Sequence, residues 1–118
     1  MKNKPTLYKI YYKHLLGDPV YIGRTKNNLT QRLRHHFFKH PFQKVVEVDA
    51  VSHIEYAEFA TVADMFVAEI ILINQIKPVL NVDDKAPDEL TIKVDLSELE
   101  WKLWDKPHLL EKWREKLR

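Results

Sequence analysis

The fold is decided by residues 20–40, VYIGRTKNNLTQRLRHHFFKH, where a strand-like tetrapeptide leads through a polar turn into a basic helical pattern. Asn27 or Asn28 can cap a helix, because a side-chain oxygen there accepts a hydrogen bond from an unpaired backbone N–H of the first turn. The helix should run to about His40, where Pro41 follows. An apolar stripe at four-residue spacing predicts its buried face. The stripe consists of Leu29, Leu33 and Phe37.

The segments on either side of this stretch predict strands. Residues 7–13 alternate and are rich in aromatic and β-branched side chains, and a Gly-Asp-Pro turn separates them from a second strand at 19–23. These two strands therefore form a hairpin. Further along the chain, residues 51–59 have the pattern of a third strand.

A second helix is predicted over residues 62–76, with Thr61 as its N-cap and Pro78 beyond its end. Its sequence is apolar almost all round, so we expect it to lie deep in the core. Glu69 lies in its middle, where a carboxylate is costly unless it has a partner or opens onto a site. Glu69 thus either reaches solvent or a buried arginine, or it is a metal ligand in a polar cleft. A single carboxylate with phosphate oxygens and waters suits Mg²⁺ or Mn²⁺.

The C-terminal third predicts a connector followed by an extension. Residues 81–90 are acidic and contain a proline, and residues 90–96 alternate as a short strand. Ser97 and Glu100 form a capping box for a final helical region, which Pro107 should kink or restart at about residue 106. Leucines recur there every seven residues, so we expect an apolar stripe that folds back on the core or forms a dimer surface. They are Leu96, Leu103, Leu110 and Leu117.

The composition excludes several classes of protein and favours a nucleic-acid partner. The 118 residues include no cysteine, so a disulfide framework and a thiolate metal site are excluded. No run is apolar enough to span a bilayer and no signal peptide is recognisable, so a cytoplasmic location is expected. The net charge is only +2, but residues 1–44 carry ten Lys or Arg and a single acid, Asp18. A basic segment with interspersed aromatic residues suits a phosphate backbone, although a solvated basic face would look the same.

The hairpin contains two short motifs. TLYKI at 6–10 brings Tyr8 into the first strand, and VYIGRT at 20–25 brings Tyr21 and Gly23 into the second. Tyr11 lies in the same predicted strand, three residues after Tyr8.

Further polar residues follow these motifs in a fixed order. Arg32 and His36 lie one turn apart on the first helix, Glu69 lies on the second, and KPVLN ends at Asn81, twelve residues after Glu69. In this order and spacing the chain resembles the GIY-YIG nuclease superfamily over about residues 5–82. It departs from the family pattern where Thr6 replaces the first glycine. Tyr11 competes with Tyr8 for the place of the family's first tyrosine, and Tyr8 is favoured because the residues around it fit the family pattern better.

The resemblance implies a fold and an activity. The fold is α+β, with a small, mainly antiparallel three-stranded sheet flanked by helices in residues 1–82. Residues 83–118 form the connector and a C-terminal strand and helix extension of the same domain. The implied activity is that of a divalent-metal-dependent DNA endonuclease, which hydrolyses phosphodiester bonds by a one-metal mechanism without a covalent intermediate.

The resemblance also implies the site residues. Those implied in catalysis are Tyr8, Tyr21, Arg32, His36 and Glu69. Those implied in substrate binding are Gly23, Arg24, Lys26, Arg34 and Asn81. A glycine could let the backbone approach a phosphate closely. An arginine can hold a phosphate oxygen, and a tyrosine could accept a proton from water if nearby cations lowered its pKa. Glu69 is implied as the ligand of one Mg²⁺ or Mn²⁺ at the departing 3′ oxygen.

Alternatives to this hypothesis remain open at the level of sequence. The chain could be a non-catalytic nucleic-acid-binding module, or a nuclease subunit that binds a second copy or a partner protein through its C-terminal helices. The expected substrate is double-stranded or branched DNA in a bacterial or phage-infected cell. His14, His35 and His40 could hold zinc but are more typical of a surface. The three tryptophans are more typical of helix packing than of base stacking.

Overall fold

The computed structural model of the protein describes residues 3–39, 46–81 and 88–117. Within these ranges it has an α+β fold, as predicted, with a four-stranded antiparallel sheet where three strands were expected. The strands are β1 (Thr6–Tyr12), β2 (Tyr21–Thr25), β3 (Val51–Glu58) and β4 (Lys102–Leu103). The α-helices are α1 (Leu29–Phe38), α2 (Val62–Ile76) and α3 (Pro107–Leu117), and a 3₁₀ turn at Val48–Ala50 precedes β3.

The sheet has the strand order β2-β1-β3-β4, which leaves β2 at one edge. Side chains of β1 alternate between the two faces. Tyr8, Ile10 and Tyr12 pack in one hydrophobic cluster with residues of α1 and α3, and Leu7 packs in a second cluster with residues of α2. The sheet therefore separates α1 and α3 from α2.

Helix α1 confirms most of what the sequence predicted. Asn28 is the N-cap, and its Oδ1 accepts a hydrogen bond from the backbone N of Gln31 at 3.1 Å. Leu33 and Phe37 are fully buried. The helix ends at Phe38, two residues earlier than expected, and His40 and Pro41 lie outside the described residues.

Helix α2 begins at Val62 with Thr61 as its N-cap, as predicted, but it is not buried all round. Three of its apolar side chains are 38–62% exposed, namely Phe66, Val67 and Ile70. The helix packs against one face of the sheet, and within the described ranges no further layer covers its outer side. The expectation drawn from the apolar sequence, that this helix lies deep in the core, is therefore correct for only one of its sides.

Two predictions for the C-terminal third are wrong. Residues 90–96 form no strand, and no helix begins at Ser97. A strand needs a neighbour to pair with. This segment instead runs over the surface, where the Asn74 side chain donates to the backbone O of Asp88 at 2.8 Å and accepts from the backbone N of Leu90 at 3.2 Å. The next stretch extends along β3, because the backbone N of Trp104 donates to the O of Ile54.

The extension nevertheless folds back on the core, which is one of the two arrangements that the sequence left open. Trp104, Leu110 and Trp113 are 3–5% exposed and belong to the same cluster as Tyr8 and Phe37. Helix α3 begins at Pro107, where the sequence predicted a restart. The seven-residue leucine stripe is broken at position 103, because the Leu103 side chain in β4 is 64% exposed.

The length and apolarity of the helices decide whether any of them could span a membrane. Across residues 3–39, 46–81 and 88–117, no helix is both long enough and apolar enough to cross a bilayer.

Candidate active site

The candidate site is built on the pairing of the two motif strands. Tyr8 of β1 lies directly opposite Gly23 of β2. A Cβ atom at Gly23 would lie 2.4 Å from both Cζ and Oη of Tyr8. The missing side chain of Gly23 therefore lets the Tyr8 phenol lie across the edge strand. This space is filled by the tyrosine, which corrects the expectation that Gly23 lets a phosphate approach the backbone.

Tyr8 and His36 form a buried hydrogen-bonded pair. Their Oη and Nε2 atoms are 3.0 Å apart, and both residues are at most 1% exposed. Burial, and then the charge of Arg32, lowers the pKa of His36 to about 4, so His36 is neutral at physiological pH. Burial, and then the neighbouring Tyr21, raises the pKa of Tyr8 above its ordinary value of 10.0. A protonated phenol and a neutral imidazole therefore share this hydrogen bond.

Tyr21 and Arg32 lie beside this pair. The Tyr21 ring centroid lies 6.3 Å from that of Tyr8 and 5.6 Å from that of His36, and Tyr21 is only partly buried. Arg32 lies one turn before His36 on α1, close enough to Tyr8 to oppose the rise in its pKa. Tyr8, Tyr21, Arg32 and His36 together form one group of side chains, which we name the tyrosine cluster.

Arg32 brings a buried hydrogen-bond donor to the cluster. The Nε of Arg32 is buried and finds no acceptor within residues 3–39, 46–81 and 88–117. An unpaired buried donor is costly, and a guanidinium binds carboxylates and phosphates through such N–H groups. This donor fits an anion.

A cationic groove lies beside the cluster. It has a volume of about 220 Å³ and runs from the end of β2 past Arg32 to α2. Its lining residues are Arg24, Thr25, Lys26, Asn27, Arg32, Met65 and Phe66. Three of these side chains are cations and none is an acid, so the groove suits a phosphate chain.

Glu69 reaches the β2 edge from α2. It is 8% exposed, and its Oε1 lies 2.5 Å from a terminal nitrogen of Arg24. The Arg24 guanidinium also lies over the Phe66 ring, 4.9 Å from its centroid. The sequence left open a buried arginine as the partner of Glu69, whereas the Arg24 side chain is 52% exposed.

The chemistry of Glu69 suits a divalent cation with few protein ligands. The described residues contain no group of three or more His, Cys, Asp or Glu side chains that could hold a metal ion. A site with one carboxylate takes its remaining ligands from phosphate oxygens and water, as Mg²⁺ commonly does. The residues present therefore fit such an ion only when the groove also holds a phosphate, and Arg24 must then leave the carboxylate.

Tyr11 is separated from the cluster by the alternation of β1. Its ring stacks on His53 at a centroid distance of 4.4 Å, and the pairing of Tyr11 with His53 lies on the sheet face opposite to Tyr8. Of the two tyrosines left open by the sequence, Tyr8 is the one that meets His36.

Two residues expected to bind substrate lie elsewhere in the structure. Asn81 is 3% exposed, and its side chain accepts from the backbone N of Ile22 and donates to its O, both at 2.9 Å. Asn81 therefore holds the edge strand, and substrate cannot use the same groups. The Arg34 guanidinium lies over the Phe38 ring, 5.3 Å from its centroid, and does not line the groove.

Sequence reasoning missed the part that Phe66 and Asn27 play. The sequence predicted only that this whole helix lies deep in the core, but Phe66 lines the groove and contacts Arg24. Its spacing of three residues from Glu69 on one helix was a signal that both could reach the same arginine. Asn27 was considered only as a cap, and no signal in the sequence identified it as a lining residue.

Comparisons with known proteins assign no family to the chain. A scan against models of protein families finds no match, and a search of curated proteins finds no relative. The residues of the site itself are therefore the only indication of its function.

Proposed function

We propose that the protein is a metal-dependent DNA endonuclease of the GIY-YIG type. The observation that carries this proposal is the tyrosine cluster beside a groove that is lined by three cations and no acid. The unpaired Nε of Arg32, at the junction of the two, supports an anionic substrate.

In this proposal each side chain of the site has a different role, and burial distinguishes the roles of the two tyrosines. Arg32 donates to a non-bridging phosphate oxygen and offsets the charge that grows in the transition state. Tyr21 acts in its phenolate form, accepts the proton of the attacking water and becomes a neutral phenol. It suits this role better than Tyr8, because a partly buried phenolate loses less solvation than one at the fully buried Tyr8 would. Tyr8 stays protonated and, through its bond to neutral His36, holds the cluster in place. Arg24 and Lys26 hold the flanking phosphates.

Glu69 would hold the single Mg²⁺ or Mn²⁺, which supplies a positive charge for the departing 3′ oxygen when it is bound. The low exposure of Glu69 beside the groove supports this role. The carboxylate is held on α2 and pairs with Arg24, which lines the groove.

The test is nicking of supercoiled plasmid in Mg²⁺. Glu69→Gln should leave the fold intact and reduce cleavage at least about a hundredfold, the scale on which one electrostatic group of an active site acts. Glu58→Gln is the matched control, because Glu58 is a carboxylate at the end of β3 that pairs with Lys102 at 3.8 Å and does not line the groove. Full activity of Glu69→Gln at saturating metal would remove Glu69 from the site.

A second candidate function is that of a non-catalytic DNA-binding module. The observation that favours it is the Glu69–Arg24 ion pair, which leaves the carboxylate already neutralised. Gel-shift binding in EDTA distinguishes the two. A module without catalysis binds DNA equally with EDTA or Mg²⁺ and never nicks it, whereas the proposed nuclease nicks in Mg²⁺ alone.

A further inference from the structure

Arg24 belongs to two parts of the site at once. Its guanidinium pairs with the Glu69 carboxylate, and its side chain also lines the cationic groove. The two ends of the ion pair differ in exposure, with 52% of the Arg24 side chain but only 10% of the Glu69 side chain accessible. The arginine can therefore swing toward a ligand in the groove, while the carboxylate is fixed on α2.

A guanidinium and a divalent cation compete for the same carboxylate. Both are positive, and a single carboxylate at 2.5 Å from an arginine nitrogen cannot also accept a metal without repulsion between the two cations. A phosphate in the groove offers the guanidinium another anion and a bidentate geometry that suits it. The entry of phosphate thus removes the competitor of the metal.

We propose that Arg24 is a positioning residue that keeps Glu69 occupied until a DNA phosphate draws it away, so that DNA and the divalent ion bind cooperatively. This inference rests on the proposed function, since it requires Glu69 to be the metal ligand. The coupling is reciprocal: the metal strengthens DNA binding by the same factor by which DNA strengthens metal binding.

The test measures Mn²⁺ binding by electron paramagnetic resonance, with and without a short DNA duplex. Without DNA, Arg24→Gln should bind Mn²⁺ at least about fivefold more tightly than the wild type, the lower end of the usual coupling between two sites. Adding DNA should raise the wild-type affinity more than that of the variant. Glu69→Gln with DNA gives the background of Mn²⁺ bound by the duplex itself.

Lys26→Gln is the matched control. It removes one cation from the same groove, but Lys26 forms no ion pair with Glu69 in the described structure. It should weaken DNA binding and change the DNA-free Mn²⁺ affinity less than twofold. Arg24→Lys provides a second variant if Arg24→Gln does not fold. Its Mn²⁺ affinity should lie between those of the wild type and Arg24→Gln, because an ammonium keeps the charge but cannot form the paired hydrogen bonds of the guanidinium.

Each outcome decides one point. Equal DNA-free Mn²⁺ affinities for the wild type and both Arg24 variants, with Glu69-dependent binding present, would overturn the competition and leave the nuclease proposal standing. Equal Mn²⁺ binding by Glu69→Gln and the wild type, even with DNA, would instead remove the metal ligand on which both proposals depend. An equal gain in DNA-free Mn²⁺ affinity from Lys26→Gln and Arg24→Gln would show that the loss of any positive charge strengthens metal binding. That result would also overturn the inference.

Discussion

Gly23 and Tyr8 show how a single residue without a side chain determines the arrangement of the site. The Tyr8 ring occupies the volume where a side chain at position 23 would stand, and this places its hydroxyl beside His36. The glycine is therefore needed for close packing between two strands and not for a special backbone angle, since its φ is not among the positive values. The tyrosine cluster depends on this contact.

Gly23→Ala should lower the free energy of unfolding by about 1–3 kcal/mol, because an added methyl must displace a fully buried ring. Chemical denaturation measures this change. The same substitution in a Tyr8→Ala background should cost clearly less, since the clashing ring is gone. Equal costs in both backgrounds would show that Tyr8 does not fill the space above Gly23.

At the scale of the element, β2 is an edge strand whose outer side is covered by a side chain. Ile22 pairs with Lys9 in the hairpin, and its backbone N and O are both bonded to Asn81. The amide of asparagine offers one donor and one acceptor and so replaces a neighbouring strand. Asn81 thereby fixes the strand that carries Tyr21, Gly23 and Arg24.

Asn81→Ala should cost about 2–4 kcal/mol of unfolding free energy, because two buried backbone groups of Ile22 lose their partners. Hydrogen exchange at the Ile22 amide should accelerate more than exchange at other β2 amides. Asn81→Asp should cost at least as much, because it loses the donor, turns a carboxylate oxygen toward the Ile22 O and buries a negative charge. Unchanged exchange at Ile22 in Asn81→Ala would contradict this role of the side chain.

At the scale of the whole molecule, the C-terminal extension completes the core beneath the site. Trp104 and Trp113 stack at a centroid distance of 5.9 Å, and Trp113 contacts Phe37 of α1 at 6.0 Å. Arg114 is 7% exposed and donates to the backbone O of Val48 at 3.0 Å and of Val51 at 2.7 Å. The extension therefore supports α1, the helix that carries Arg32 and His36.

Trp113→Ala should destabilise the protein by about 3–5 kcal/mol through the cavity it leaves, and thermal unfolding measures the loss. Leu103→Ala is the control from the same extension, and its 64% exposed side chain should change stability by less than about 0.5 kcal/mol. At a temperature where Trp113→Ala is still folded, its DNA affinity per folded molecule should be unchanged. Loss of DNA binding by a folded Trp113→Ala protein would contradict the assignment of Trp113 to core stability alone.

Local pattern predicted the elements whose stabilising contacts are close in sequence. The Asn28 cap, the α1 stripe, the hairpin and the start of α3 at Pro107 all depend on neighbours within a few residues, and the sequence placed each of them within two or three positions. The same kind of information brought Arg32 and His36 to one side of α1, because they are four residues apart.

The amino-acid sequence alone therefore determined the α+β class, the hairpin, the two capped helices and the set of polar side chains that could serve a phosphodiester site. Only the tertiary structure decided that residues 90–96 form no strand and that the Tyr8 ring fills the space beside Gly23. It also decided that Asn81 bonds to Ile22 and that Glu69 pairs with Arg24. The physical reason is distance along the chain. Pairings such as those of Glu69 with Arg24 and Asn81 with Ile22 join residues 45 and 59 positions apart, and no local periodicity encodes which of several polar groups will meet when the sheet and its helices pack.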